Sequence, residues 1–365
     1  MKKKILVKGY FKANLGDDLF LKVLADRYPN EKFEILTTPE LYKYYASFKN
    51  VHIVKQNFLF KAVDKMLLFF SSGGIYKLLK HRYSAVIEIG GSIFPQPKDD
   101  LSLTKERKFL EKNFKNYFVI GSNFGPYSSE KFIDNYKDFF KKISGTVFRD
   151  RKSKKLFSDL KNVTYAPDVV LNLKNNEKTS YELIEKQYVA VSVIDLGYSD
   201  ISRNENIKNF KESYEANILT AIVNFARLGY DIKFVPFSEK QNDLTISNDL
   251  AKKLKVINIE TNIEVLAKAN IDEKVKTIRE SSYLISTRYH SMILGWVFGI
   301  KQEVFIYADK TRNVIEDLFP QQYAYDILQD QDYTFNLDSF NTMNHVEDIR
   351  KNAEKQFYFL DHFLA

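Results

Sequence analysis

The chain has 365 residues, 44% hydrophobic and 28% charged, a composition that excludes global disorder and a fibrous repeat and, at roughly 150 residues per domain, favours two domains. It holds no cysteine, which excludes a disulfide scaffold, thiolate metal sites and a cysteine nucleophile. The 55 basic against 47 acidic residues leave a net charge of +8, which favours anionic partners without naming one.

Residues 5–9 open the chain as an apolar run cut short by Lys8 and Lys12, so the start reads as a first strand and not as a secretory signal. Residues 33–36, 85–89, 117–121 and 146–148 are further buried-strand patterns, with helical patterns at 17–28 and 129–143 between them. The polar stretch 172–187 reads as a linker. After it the alternation restarts. Strands are expected at 188–194, 231–235, 255–259, 283–286 and 303–307, and helices at 207–228, 243–254 and 291–298. An aromatic-rich tail, 345–364, reads as a closing helix. Continuous apolar strands with intervening helices imply parallel sheets covered on both faces. The expected fold class is therefore α/β, with two Rossmann-like doubly wound domains facing a cleft. The expected division is 1–171, the linker 172–187, 188–344 and the tail 345–365. No window offers about 18 uncharged apolar residues, so no transmembrane helix is expected.

One segment carries a basic surplus. Lys55, Lys61, Lys65, Lys77, Lys80 and Arg82 face only Asp64, and they alternate with Phe58, Leu59, Phe60, Met66, Leu67, Leu68 and Phe69. It reads either as a core helix pair with a solvated lysine face or as a basic amphipathic surface for an anionic membrane. No zinc knuckle, RNP pattern or Arg-rich tract points to nucleic acid.

In open parallel sheets ligands bind at the carboxyl ends of the strands, so residues that follow strands are the candidates. Asn14-Leu15-Gly16-Asp17-Asp18 follows the first strand. Asn14 and Gly16 suit a turn with positive φ, and Asp17 or Asp18 suits a helix cap, a hydroxyl-rich ligand or a base. Gly90-Gly91-Ser92 lets a backbone approach a ligand closely, or forms a plain turn. Asn123 and its neighbour Ser122 suit sugar hydroxyls. Arg149 ends a strand and suits a phosphate or carboxylate, or a surface pair with Asp150. Asp168, in Ala166-Pro167-Asp168, reads equally as structural. The strongest motif is Ser286-Thr287-Arg288-Tyr289-His290-Ser291, where a guanidinium fork and a proton-exchanging imidazole sit two residues apart at a strand end. Lys310, after the next strand, can add positive charge. No H-E-x-x-H motif, P-loop, dinucleotide fingerprint or spaced metal cluster is present, so neither a metal nor a cofactor is expected.

The ordered set N-x-G-D-D, G-G-S-x-F, G-S-N-F-G-P-Y, F-R-D-R-x-S, A-P-D and S-T-R-Y-H resembles the polysaccharide pyruvyltransferase family, from Lys8 to about Leu318. The chain departs from the family pattern at Ser92, where a third glycine is common, and at Lys301, where proline is common. The resemblance implies an architecture similar to GT-B glycosyltransferases. It implies phosphoenolpyruvate as donor substrate, and as acceptor a sugar of a capsule, exopolysaccharide or wall glycan or its lipid-linked precursor. The product is a pyruvate ketal, and phosphate is released. It places the family's R-x-H element on Arg288 and His290. With it, Arg149 and Lys310 become further donor-binding candidates, and Asp17 or Asp18 a carboxylate that orients or deprotonates the acceptor. A cytoplasmic enzyme follows, at the inner face of the plasma membrane if residues 55–82 contact lipid. Two other readings stay open: a sugar-nucleotide glycosyltransferase of the same architecture, and a non-catalytic glycan-binding or assembly protein.

Overall fold

A computed structural model describes residues 4–70, 73–97, 100–174, 187–198, 205–329 and 333–365. Residues 175–186, most of the expected linker, lie outside the described residues. The chain divides into two compact units. The first comprises Met1–Lys12, Asp17–Asn172 and Arg350–Ala365, and the second comprises Ala13–Gly16 and Leu173–Ile349.

The first unit holds, among the described residues, seven parallel strands: β1 (Lys4–Lys8), β2 (Phe33–Thr37), β3 (Val51–Lys55), β4 (Tyr83–Ile89), β5 (Tyr117–Ser122), β6 (Gly145–Phe148) and β7 (Val163–Tyr165). Their order is β3-β2-β1-β4-β5-β6-β7. The second unit holds β8 (Tyr188–Ser192), β9 (Asp231–Phe234), β10 (Ile263–Val265), β11 (Tyr283–Ser286), β12 (Lys301–Ile306) and β13 (Ala324–Asp326), ordered β10-β9-β8-β11-β12-β13. Each sheet runs outward from its first strand in both directions, so each is doubly wound and Rossmann-like. The order reverses between β1 and β4 in one unit and between β8 and β11 in the other. There the connecting helices leave toward opposite faces and a gap opens at the carboxyl ends.

Strands β4, β5, β6 and β8 are buried along almost their whole length, as their largely apolar sequences require. Helix Glu130–Lys142 shows the packing logic. Its Phe132, Tyr136, Phe139 and Phe140 recur at helical spacing on one buried face. They join Phe94, Phe124, Phe148 and Phe157 in an aromatic core beside β4–β6. In the second unit Ile218, Ile222 and Phe225 of helix Lys211–Arg227 meet Phe234, Leu250, Ile285 and Phe305.

Three expectations need correction. Residues 255–259 are not a strand. Helix Asp243–Val256 runs into them, Asn258 turns the chain with φ +58°, and the strand follows at β10. The apolar pair that suggested a strand is solvent-facing, with Val256 84% exposed. The aromatic tail is not one helix but Val346–Ala353, a 3-10 turn Glu354–Phe357 and helix Tyr358–Leu364. The basic segment is not a core helix pair either. Helix Phe58–Phe70 leaves Phe58, Leu59, Met66 and Phe69 exposed.

Candidate functional site

Both reversal points carry polar side chains, and each unit has its own cluster.

In the first unit the centre is Arg149, which follows β6 and is buried. Its Nη1 donates to Asp168 Oδ2 at 2.9 Å and its Nη2 to Asn123 Oδ1 at 2.7 Å. Ser92 Oγ donates to the same Asn123 oxygen at 3.0 Å. Gly91 lies so close that a Cβ there would stand 2.7 Å from Arg149 Nη2. One guanidinium thus ties together the chain segments that follow β4, β5, β6 and β7. The alternative of a surface pair with Asp150 is not realised. Asp150 instead caps helix Arg151–Leu156, accepting from Ser153 N at 2.7 Å. Arg149 is an internal cross-link whose charge Asp168 balances, not an open fork.

The segment containing Gly90 and Gly91 is held from below. Arg107 places Nε and Nη2 on buried Glu88, and Nη2 also donates to Ile93 O at 2.7 Å. Tyr117 donates its hydroxyl to Glu88 Oε2 at 2.6 Å. Burial alone raises the Glu88 pKa, but Arg107 and Lys8 outweigh it and hold the carboxyl down at about 2. Behind the strand ends, Gln356 of the C-terminal segment accepts from Gly121 N at 2.9 Å and donates to Ala166 O at 2.7 Å and Pro167 O at 3.0 Å.

Asp17 and Asp18 lie inside the first turn of helix Leu15–Arg27 and are not its cap. Positive φ falls on Ala13 (+52°), not on Asn14 or Gly16. The two carboxylates differ. Asp18 is fully buried and accepts the Tyr45 hydroxyl at 2.6 Å, which ties it to the interior. Asp17 is half-buried, and its Oδ1 lies 3.5 Å from where a Gly90 side chain would begin.

In the second unit Arg288 directly precedes helix Tyr289–Phe298, just after β11, and its side chain makes no capping hydrogen bond. Ser291 Oγ bonds Arg288 O at 2.8 Å and meets Ser286 Oγ, fixing the junction. The guanidinium is buried. It donates Nε to Asp243 Oδ2 at 2.8 Å, Nη2 to Asp243 Oδ1 and Nη1 to Gln241. Burial works against its charge, yet the pairing with Asp243 prevails and raises its pKa further. Three of the five N–H donors of an arginine are thereby engaged and two remain. Asp243 is fully buried and also accepts from Phe237 N at 3.1 Å and Ser238 N at 3.0 Å, so it fixes the loop after β9 as well.

His290 is half-buried at the second position of the same helix. Its neighbour is Gly16, where a Cβ would stand 2.2 Å from Nδ1. Asn14 Oδ1 accepts from Gly16 N at 3.2 Å, and Leu15 N donates to Phe237 O at 2.9 Å. Lys310 sits in the first turn after β12 with its Nζ 5.6 Å from the Tyr307 ring centre. Tyr307 is itself within electrostatic reach of Arg288. The hydroxyls of Ser192, at the end of β8, and Ser238 are buried without a hydrogen-bond partner.

The structure thus brings Arg288, His290, Asn14 and Gly16 together in the second unit. It brings Arg149, Asn123, Ser92 and Gly91 together in the first, with Asp17 beside Gly90. Sequence reasoning missed Asp243, Gln241, Glu88, Arg107 and Gln356. A buried arginine demands a carboxylate, which signals that a partner exists, but not which of 47 acidic residues it is.

Two doubly wound units with polar groups gathered at their strand ends define a ligand-binding α/β protein. The chain belongs to the polysaccharide pyruvyl transferase family, whose model matches residues 14–307. No curated protein matches it in sequence. Among solved structures it is similar to the Escherichia coli ADP-heptose LPS heptosyltransferase II, with 10% identity, TM-score 0.45, and 99% of this chain and 100% of that one covered. A glycosyltransferase from Rickettsia africae ESF-5 overlaps with 11% identity, TM-score 0.48, and 99% and 89% covered. A UDP-forming trehalose-phosphate synthase from Burkholderia xenovorans does so with 12% identity, TM-score 0.48, and 100% and 98% covered. Likeness at this level carries nothing about activity. Among the described residues no helix is long and apolar enough to cross a membrane.

Proposed function

We propose that the protein transfers the pyruvyl group of phosphoenolpyruvate to a sugar of a cell-surface polysaccharide or its lipid-linked precursor, forming a pyruvate ketal. The observation that carries this reading is the Arg288–His290 pair at the β8/β11 reversal point, in a chain of this family.

Arg288 is held rigidly by Asp243, and its two remaining N–H donors, with Lys310, bind the phosphate and carboxylate of the donor. His290 delivers a proton to the methylene carbon while an acceptor hydroxyl bonds to the adjacent carbon. A positioned acid of this kind is worth about 10²–10⁴ in rate. The hydroxyl proton passes to a base. The bond between that carbon and the bridging phosphate oxygen then breaks and phosphate leaves with that proton. A second hydroxyl of the sugar takes its place, closes the ketal and returns a proton to His290. Asp18, buried against Tyr45, is not offered for this step. Asn123 keeps its amide Nδ2 for a sugar hydroxyl, since its Oδ1 is engaged by Arg149 and Ser92.

The test mixes purified protein, phosphoenolpyruvate and a set of glycosides. Acceptor-dependent phosphate release is expected, and it is lost in His290→Ala. Wild-type turnover by that variant would remove the catalytic assignment. Thermal stabilisation by a nucleoside diphosphate but not by phosphoenolpyruvate would overturn the reading in favour of sugar-nucleotide transfer.

A further inference from the structure

Helix Phe58–Phe70 follows β3, an edge strand of the first sheet, and so begins at the end of the sheet where Gly91, Asn123 and Arg149 gather. It rests on the unit by one narrow face. Phe60, Asp64 and Leu67, spaced i, i+4 and i+7, are its half-buried residues, and Asp64 Oδ1 accepts from Ile75 N at 2.7 Å. The other described side chains of the helix turn to solvent. Phe58 is 83% exposed, Phe69 85% and Leu59 71%, with Val63 and Met66 beside them. At 3.6 residues per turn these side chains form an apolar stripe about 140° wide. Lys61 and Lys65, both exposed, lie along one edge of it. Exposed Lys77 and Leu78 follow on the next short helix.

Large aromatic side chains this exposed to solvent call for an apolar surface. The surrounding charge says which. Lys61, Lys65 and Lys77 are exposed, and Asp64, the acidic residue of the helix, turns inward, while Glu40 lies within electrostatic reach of Lys61; Lys55 is instead stacked on Tyr42, Lys80 bonded to Asn113 and Arg82 paired with Glu34. A second copy of this chain would bring two positively charged faces together. A negatively charged lipid surface matches both the apolar stripe and its basic edge.

We propose that helix Phe58–Phe70 is a membrane-docking helix that lies in the interface of an anionic bilayer, with Phe58, Leu59, Met66 and Phe69 in the acyl boundary and Lys61 and Lys65 on the headgroups. The proposal rests on exposure and charge, and it stands or falls apart from pyruvyl transfer.

The test sediments the full chain with vesicles of phosphatidylcholine alone and with vesicles containing about one-third phosphatidylglycerol, without donor or acceptor. Binding is expected only to the anionic vesicles and falls with added salt. Lys61→Ala with Lys65→Ala weakens it about thirtyfold, and Phe58→Ser with Phe69→Ser abolishes it. Phosphate release with a soluble glycoside stays at wild-type level in all four substitutions. Absence of binding to anionic vesicles, or equal binding by the variants, would overturn the proposal. So would a dimer in solution that the Phe58→Ser and Phe69→Ser variant dissociates, which would make this face a contact between copies.

Discussion

Gly16 presses its Cα against the imidazole of His290, leaving no room for a side chain between them. This contact makes the glycine a positioning residue. Gly16→Ala should force the ring to a different rotamer while leaving Arg288 in place. Under the pyruvyl-transfer reading, kcat falls about a hundredfold, while KM for phosphoenolpyruvate barely moves. Steady-state kinetics on the purified variant check this. A KM that rises in step with the loss of kcat would show that the glycine serves donor binding instead.

The Arg288–Asp243 pair is buried, so removing one partner strands the other. Asp243→Asn is expected to cost about 3–5 kcal/mol of stability. Adding Arg288→Met should restore most of it, because the uncompensated charge is gone. Urea unfolding of the two single variants and the double variant gives the coupling. Strict additivity would show that the carboxylate acts mainly through the loop after β9.

Glu88 makes stability depend on acidity. Its folded pKa, about 2, lies below its ordinary 4.5. The stabilisation is therefore complete above about pH 4.5 and is lost as pH falls toward 2. Glu88→Gln should lower stability at pH 7 by about 3–5 kcal/mol, since Arg107 stays buried without its anion. The gap to wild type should then narrow through that acid window. Thermal melts from pH 7 to pH 2 read it, and a constant gap would contradict the assignment.

Gln356 satisfies Gly121 N, Ala166 O and Pro167 O where water does not reach. Gln356→Ala should cost at least about 2 kcal/mol, with faster hydrogen exchange at Gly121. Unchanged exchange there would mean that the strand ends hold themselves.

The inner strands β1, β4, β5, β8, β11 and β12 were legible because burial on both faces demands unbroken apolar runs, as in Ala85-Val86-Ile87. The edges were not. β3, β10 and β13 are short or half-exposed, and their sequences mix polar with apolar residues. The reversal-point motifs were visible as glycines, Asn123, Arg149 and the Arg288–His290 pair, because those residues follow strands directly. What each arginine touches was hidden, since Asp168 and Asp243 come from other loops, 19 and 45 residues away. The two carboxylates of Asp17-Asp18 look equivalent in sequence. Only the packing of Tyr45 separates them.

The division of the chain has a consequence for how it is made. The segment carrying Gln356 belongs to the first unit, yet it is synthesised after the whole of Leu173–Ile349. Domains tend to form as they leave the ribosome. Here the unit begun first must wait with its strand ends unlatched until its neighbour has emerged. A nascent chain stopped near residue 345 would carry a finished second unit on an open first one.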